Sequence, residues 1–93
     1  MTEQQFIKKN LAVIRAYLKN KFPDCVITEE SITRIPYQKF IVTNGKVHKT
    51  YKLKVNWDRL SDATQKTWAE LDRVDVAGCM VLAAERGEGW FYW

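Results

Sequence analysis

The sequence is poor in the residues that most active or metal sites are made of. It has one histidine, His48, and two cysteines, Cys25 and Cys79, which lie 54 positions apart in no ligand spacing, so a metal centre is not expected. A small secreted domain usually carries more disulfides, so the two thiols read as structural and the compartment as reducing, although a Cys25–Cys79 bridge stays open. Four glycines and two prolines exclude collagen-like and linker-like chains. The longest apolar run, 76–84, is too short to span a bilayer and contains Gly78. The N-terminal apolar residues are interrupted by Lys8, Lys9 and Arg15, so no leader is expected and the location is read as cytoplasmic. No phosphate-cradling glycine loop occurs, because Gly87-Glu88-Gly89 follows a helical run and not a strand.

What is present is an ordinary globular composition of 93 residues, 46% hydrophobic and 28% charged, enough for one small core over 1–93. The charge is uneven. Residues 1–57 carry eleven basic and four acidic side chains, a formal +7, and residues 58–93 carry four basic and seven acidic ones, a formal −3, which together give the chain's +4. A dipole of this kind steers polyanions toward the first part, and it also serves plain solubility.

Thr2 and Gln5 have capping-box spacing. Ile7, Leu11, Ile14 and Leu18 then recur at helical spacing, opposite a basic stripe of Lys8, Ala12, Arg15 and Lys19, and Pro23 ends the helix near Phe22. From Cys25 to Ile35 a weaker strand pattern runs to Pro36, with Glu29-Glu30-Ser31 as a candidate interruption. Asn44-Gly45 lies between two β-rich runs and predicts a two-residue type I′ hairpin that sets Val42 opposite Val47. One face of that hairpin then carries Phe40, Val42, Val47, Tyr51, Leu53, Val55 and Trp57. The other carries Tyr37, Lys39, Ile41, Lys46, His48, Lys52 and Lys54. Ser61 or Asp62 starts a helical region, Asp75 caps a further run over 76–86, and Gly87 suits its left-handed C-cap. Whether 62–86 is one helix or two is open, and Val81-Leu82 also fits a buried strand. The expected fold is a single small α+β domain of order α-β-β-β-α(-β), an antiparallel sheet with helices packed mainly on one face.

The α-β-β-β-α-β order resembles that of the restriction-endonuclease-like nuclease core. The family's metal-holding acids belong on the second strand and in an acid-x-Lys on the third. Here the run 37–43 has no carboxylate, and Tyr51-Lys52-Leu53-Lys54-Val55-Asn56 has Lys52 where the acid belongs. Without paired acids a Mg²⁺ mechanism of that kind is not expected. The first five elements are also ordered as in the double-stranded-RNA-binding domain, but no Gly-Pro-x-His loop occurs, and Ser61-Asp62-Ala63-Thr64-Gln65-Lys66 replaces a lysine cluster at the second helix.

The expectation is therefore a non-catalytic binding module without a cofactor, membrane contact or small-molecule substrate. Its first candidate site is the basic hairpin face of Tyr37, Lys39, Lys46, His48, Lys52 and Lys54, which would contact a nucleic-acid backbone with little sequence selectivity. The helical stripe of Lys8, Arg15 and Lys19 is a second basic surface. The aromatic run Trp90, Phe91, Tyr92 and Trp93 is read as a strand with two residues facing each way, or as a protein-binding anchor. The anchor reading goes with an inhibitor or adaptor that docks on and blocks a larger enzyme, a nucleic-acid-handling enzyme being one candidate.

Overall fold

The computed structural model of the chain describes residues 2–31, 37–62 and 66–93. Helix α1 (Glu3–Lys21) opens with the expected reciprocal cap: the Thr2 hydroxyl accepts from the Gln5 amide, and the Gln5 side chain accepts from the Thr2 amide. It buries Ile14, Tyr17 and Leu18 and ends at Phe22. Strands β1 (Val26–Ser31), β2 (Tyr37–Asn44) and β3 (Lys49–Asn56) form an antiparallel meander, so Glu29-Glu30-Ser31 extend the first strand without breaking it. The sequence reading at Ile32–Pro36 and at Ala63–Gln65 lies outside the described residues.

The hairpin between β2 and β3 is not the predicted two-residue turn. Asn44 pairs with Lys49, and residues 45–48 form a four-residue connection in which His48, not Gly45, takes the left-handed conformation (φ 52°). The Asn44 carboxamide oxygen accepts from the Lys46 amide at 3.1 Å, a side-chain turn that replaces the type I′ geometry. The energetic reason lies in the register. A two-residue loop would set Phe40 against Lys49. The longer loop sets Phe40 against Leu53 and Val42 against Tyr51. The slide covers four positions, an even number, so every strand residue keeps its expected face. What changes is the turn: Val47, expected in the core, is 54% exposed, and Lys46 and His48 leave the sheet.

Asn56 caps a short helix α2 (Trp57–Ser61) through its side-chain oxygen, which accepts from the Asp58 amide at 2.9 Å. Trp57 thus begins a helix where the sequence pattern had continued the strand. Helices α3 (Thr67–Val74) and α4 (Val76–Glu85) are separate, and the Val81-Leu82 segment is helical. They meet at Asp75, which sits at φ 57° and whose side chain accepts from the Gly78 amide. Gly87 then takes the left-handed position after α4.

Strand β4 (Trp90–Tyr92) adds beside β3 to give the order β1-β2-β3-β4. It runs parallel to β3, so the sheet is mixed and not wholly antiparallel. The cause is the connection: the chain leaves β3 and returns through three helices, which permits a parallel neighbour where a tight turn permits only an antiparallel one. Helices and sheet share one apolar cluster built from Ile14, Tyr17, Leu18, Phe40, Val42, Leu53, Val55, Leu60, Leu71, Val76 and Met80, all fully buried. Buried Asn10 stitches the helices together. Its amide nitrogen donates to the Leu60 carbonyl at 2.7 Å, and its oxygen accepts from the Thr67 hydroxyl at 2.8 Å. The two cysteines are free thiols, Cys25 buried and Cys79 half-buried. No described helix is long and apolar enough to cross a membrane.

Candidate nucleic-acid interface

The helices share their buried cluster with one face of the sheet, α1, α2 and α4 against the strands and α3 against α1 and α4. The opposite face is built from alternate residues of the four strands, and none of its described residues is buried. Register fixes its layout. Thr28, Ile41, Lys52 and Trp90 form one cross-strand row, and Glu30, Lys39, Lys54 and Tyr92 form the next. Tyr37 and Asn56 lie opposite each other beyond them.

These rows bring three ammonium groups around one indole. Lys39, Lys52 and Lys54 Nζ lie 5.2, 5.3 and 4.9 Å from the Trp90 ring centre. Lys54 Nζ is also 5.1 Å from the Tyr92 ring and donates to its hydroxyl at 3.4 Å. The Tyr92 ring meets Tyr37 edge to face at 5.8 Å between centres. Among the described residues no carboxylate forms an ion pair with these lysines. Three cations elsewhere are matched, Arg15 with Glu29, Lys21 with Asp72 and Arg73 with Glu70, while others such as Lys8, Lys19 and Lys49 form no ion pair among the described residues. The three sheet lysines sit within about one Debye length of each other (~10 Å at 0.1 M salt), so their mutual repulsion is only partly screened. Cation–π attraction to Trp90 offsets part of it, at about 0.5–1 kcal/mol per exposed contact.

Of the six sequence-assigned residues, the sheet therefore gathers Tyr37, Lys39, Lys52 and Lys54, while Lys46 and His48 stand on the exposed hairpin connection. The aromatic run is divided by strand alternation. Trp90 and Tyr92 join the lysine face. Phe91 packs against the core and Trp93 is buried in it, so those two are not part of an exposed anchor. The stripe of Lys8, Arg15 and Lys19 is exposed on α1, but Arg15 is committed to Glu29 at the β1 edge. The centre at β3 and β4 is roughly two to three strand spacings away from that edge, about 10–14 Å. Sequence reading missed Trp90 as the hub of the basic cluster. Its signal was the alternation of the aromatic run, which lacked only the strand it would pair with.

At the end of the sheet where Tyr37, Asn56 and Tyr92 meet, a pocket of about 470 Å³ opens between the strands and α2. The Arg59 guanidinium lies 4.5 Å from the Trp93 ring centre on its wall. No group of three or more histidine, cysteine or acidic side chains suited to a metal ion occurs among the described residues.

Comparison with known proteins finds no match among family models, curated proteins or solved structures.

Proposed function

We propose that the chain is a non-catalytic module that binds single-stranded nucleic acid on the lysine-and-aromatic face of its sheet. The observation that carries the reading is the clustering of Lys39, Lys52 and Lys54 around Trp90, where Glu30 opposite Lys39 is, among the described residues, the one facing carboxylate and forms no ion pair with them. A phosphate backbone is a ligand that relieves such a cluster, because it brings one negative charge per nucleotide and releases counterions on binding. Trp90 and Tyr92 supply π faces on which bases stack regardless of sequence. Among the described residues of this face there is no arginine, the residue that reads guanine edges in duplex grooves, which fits backbone contact more than base reading there.

The test is a fluorescence titration with oligothymidylate at several salt concentrations. With about three phosphates neutralised, log K falls against log salt with a slope near −2. Trp90→Ala weakens binding by about 1–3 kcal/mol, the worth of one stacked base. The charge reversal Lys52→Glu with Lys54→Glu abolishes it. An affinity indifferent to salt, or unchanged by the reversal, overturns the reading. The second reading, an inhibitor or adaptor docking on another protein, draws on the same exposed Trp90 and Tyr92. Capture of a protein partner that survives the charge reversal but is lost in Trp90→Ala favours it.

A further inference from the structure

The geometry points to a guanine-selective subsite in the pocket at the end of the sheet, where one base of the bound strand leaves the stack. The volume of about 470 Å³ falls within the ~300–1,000 Å³ of small-molecule pockets. Its lining is rich in rings that suit a flat heteroaromatic group: Tyr37 and Tyr92, which meet edge to face, and Trp93, with the Arg59 guanidinium 4.5 Å from its ring centre. The polar groups are mixed in sign. Asp58 offers a carboxylate, Arg59 a guanidinium and Asn56 a carboxamide. A bare phosphate suits Arg59 but is repelled by Asp58. Guanine suits both: its O6 and N7 accept from a guanidinium fork, and its N1–H and N2–H₂ donate to a carboxylate. No other base pairs an acceptor couple with a donor couple in this way.

Two further observations support the assignment. Trp93 is only 6% exposed, and its indole Nε1 has no hydrogen-bond partner among the described residues. Buried donors are nearly always satisfied, so this unmatched N–H, inaccessible as it stands on a residue that lines the pocket, is one that an acceptor could satisfy only if a bound group shifts the ring. The pocket is also continuous with the lysine face, because Tyr37 and Tyr92 belong to both and Lys54 touches Tyr92. A strand tracked by the lysines thus passes the pocket mouth. The inference rests on the proposed function for the delivery of the base, but the pocket itself is testable alone.

The experiment has two arms. In the first, anisotropy compares oligothymidylate with the same oligomer carrying one central guanine, adenine or cytosine. The guanine oligomer binds roughly tenfold tighter, the scale of one good bidentate base contact. The ratio of the guanine affinity to the oligothymidylate affinity falls to near one in Asp58→Ala and in Arg59→Lys, which keeps the charge but loses the fork. In the second arm, guanosine monophosphate alone is titrated into the ¹⁵N-labelled protein, and the Trp93 indole N–H resonance shifts with it and not with the cytidine nucleotide. Oligomer binding with no base preference, or with a preference that both variants keep, overturns the subsite and leaves the face intact. An indole resonance unmoved by guanosine monophosphate overturns it whether or not the oligomers bind. Loss of all oligomer binding with the indole shift retained supports the pocket and removes the strand.

Discussion

The two faces of the central sheet come from the same eight-residue strands and have opposite properties. Inward, Phe40, Val42, Leu53 and Val55 are fully buried against the helices. Outward, one position along, Lys39, Ile41, Lys52 and Lys54 are half-exposed and meet only the side chains of neighbouring strands. The inner face is over-determined, since every residue there touches others that are also buried and a change at one is felt by all. The outer face is held by the same backbone hydrogen bonds and carries almost no packing. Its composition is therefore free to answer to a ligand, and a like-charged cluster persists there because the inner face supplies the stability.

That contrast is broken most directly from the inside. Phe40→Ala removes a fully buried ring at the centre of the cluster and is expected to cost about 3–5 kcal/mol. A small domain has only about 5–15 kcal/mol to lose, so urea denaturation should find the variant close to unfolded at room temperature. A loss below about 1 kcal/mol would mean that the sheet is not packed as described.

A smaller effect is expected where the interior is polar. Asn10→Ala strands the Leu60 carbonyl and the Thr67 hydroxyl, which the carboxamide satisfies from opposite ends. Each unsatisfied buried group costs about 1–3 kcal/mol, so a total near 2–4 kcal/mol is expected in the same denaturation assay. This residue also marks how far the sequence could be read. The spacing of Ile7, Leu11, Ile14 and Leu18 located the apolar stripe, because periodicity is a property of the helix itself. Nothing local distinguishes Asn10 from the exposed polar residues around it. Its role depends on α2 and α3, about fifty residues away.

The same division explains the rest. Face assignment in β2 and β3 was legible, because alternation survives any even slide of register. The hairpin was not, because Asn-Gly favours a tight turn locally, and the pairing of Phe40 with Leu53 prevailed over that preference. The lysines of the candidate site were legible for the same reason as the core. Their convergence on Trp90 was not, because it requires β4 to dock in parallel beside β3 after a crossover of three helices.

Tyr17 gives a pH-dependent test of the inner face. Its hydroxyl donates to the Leu71 carbonyl and accepts from the Ala77 amide at 3.1 Å, near the start of α4. Burial pushes the phenol above its ordinary value of 10.0; the hydrogen bond from Ala77 and the nearby Lys21 charge oppose that shift in part. Folding thus holds a proton that the unfolded chain releases first. The associated stability is fully present below about pH 10 and is lost as pH rises through the native value, at up to ~1.4 kcal/mol per pH unit. Tyr17→Phe is expected to cost about 1–2 kcal/mol at neutral pH through the orphaned Ala77 amide. Above pH 10 the gap between the two proteins should narrow, since the variant has no proton to lose. A gap constant from pH 7 to 11 would contradict the burial of the hydroxyl.

The smallest change is expected on the outer face. Lys52→Gln with Lys54→Gln removes two cation–π contacts to Trp90, worth about 0.5–1 kcal/mol each when exposed. It also removes like-charge repulsion across the Lys39–Lys54 pair and along β3, worth about 0.2–1 kcal/mol per neighbouring pair. The two effects oppose each other, so the variant should unfold within about 0.5 kcal/mol of the parent, as surface substitutions usually do. Salt separates them. Repulsion between exposed charges is screened at 1 M, where the Debye length is about 3 Å, so the parent should gain stability relative to the variant between low and high salt. A variant more than about 2 kcal/mol less stable at either salt would make the lysines structural, and the outer face would no longer be free to serve a ligand.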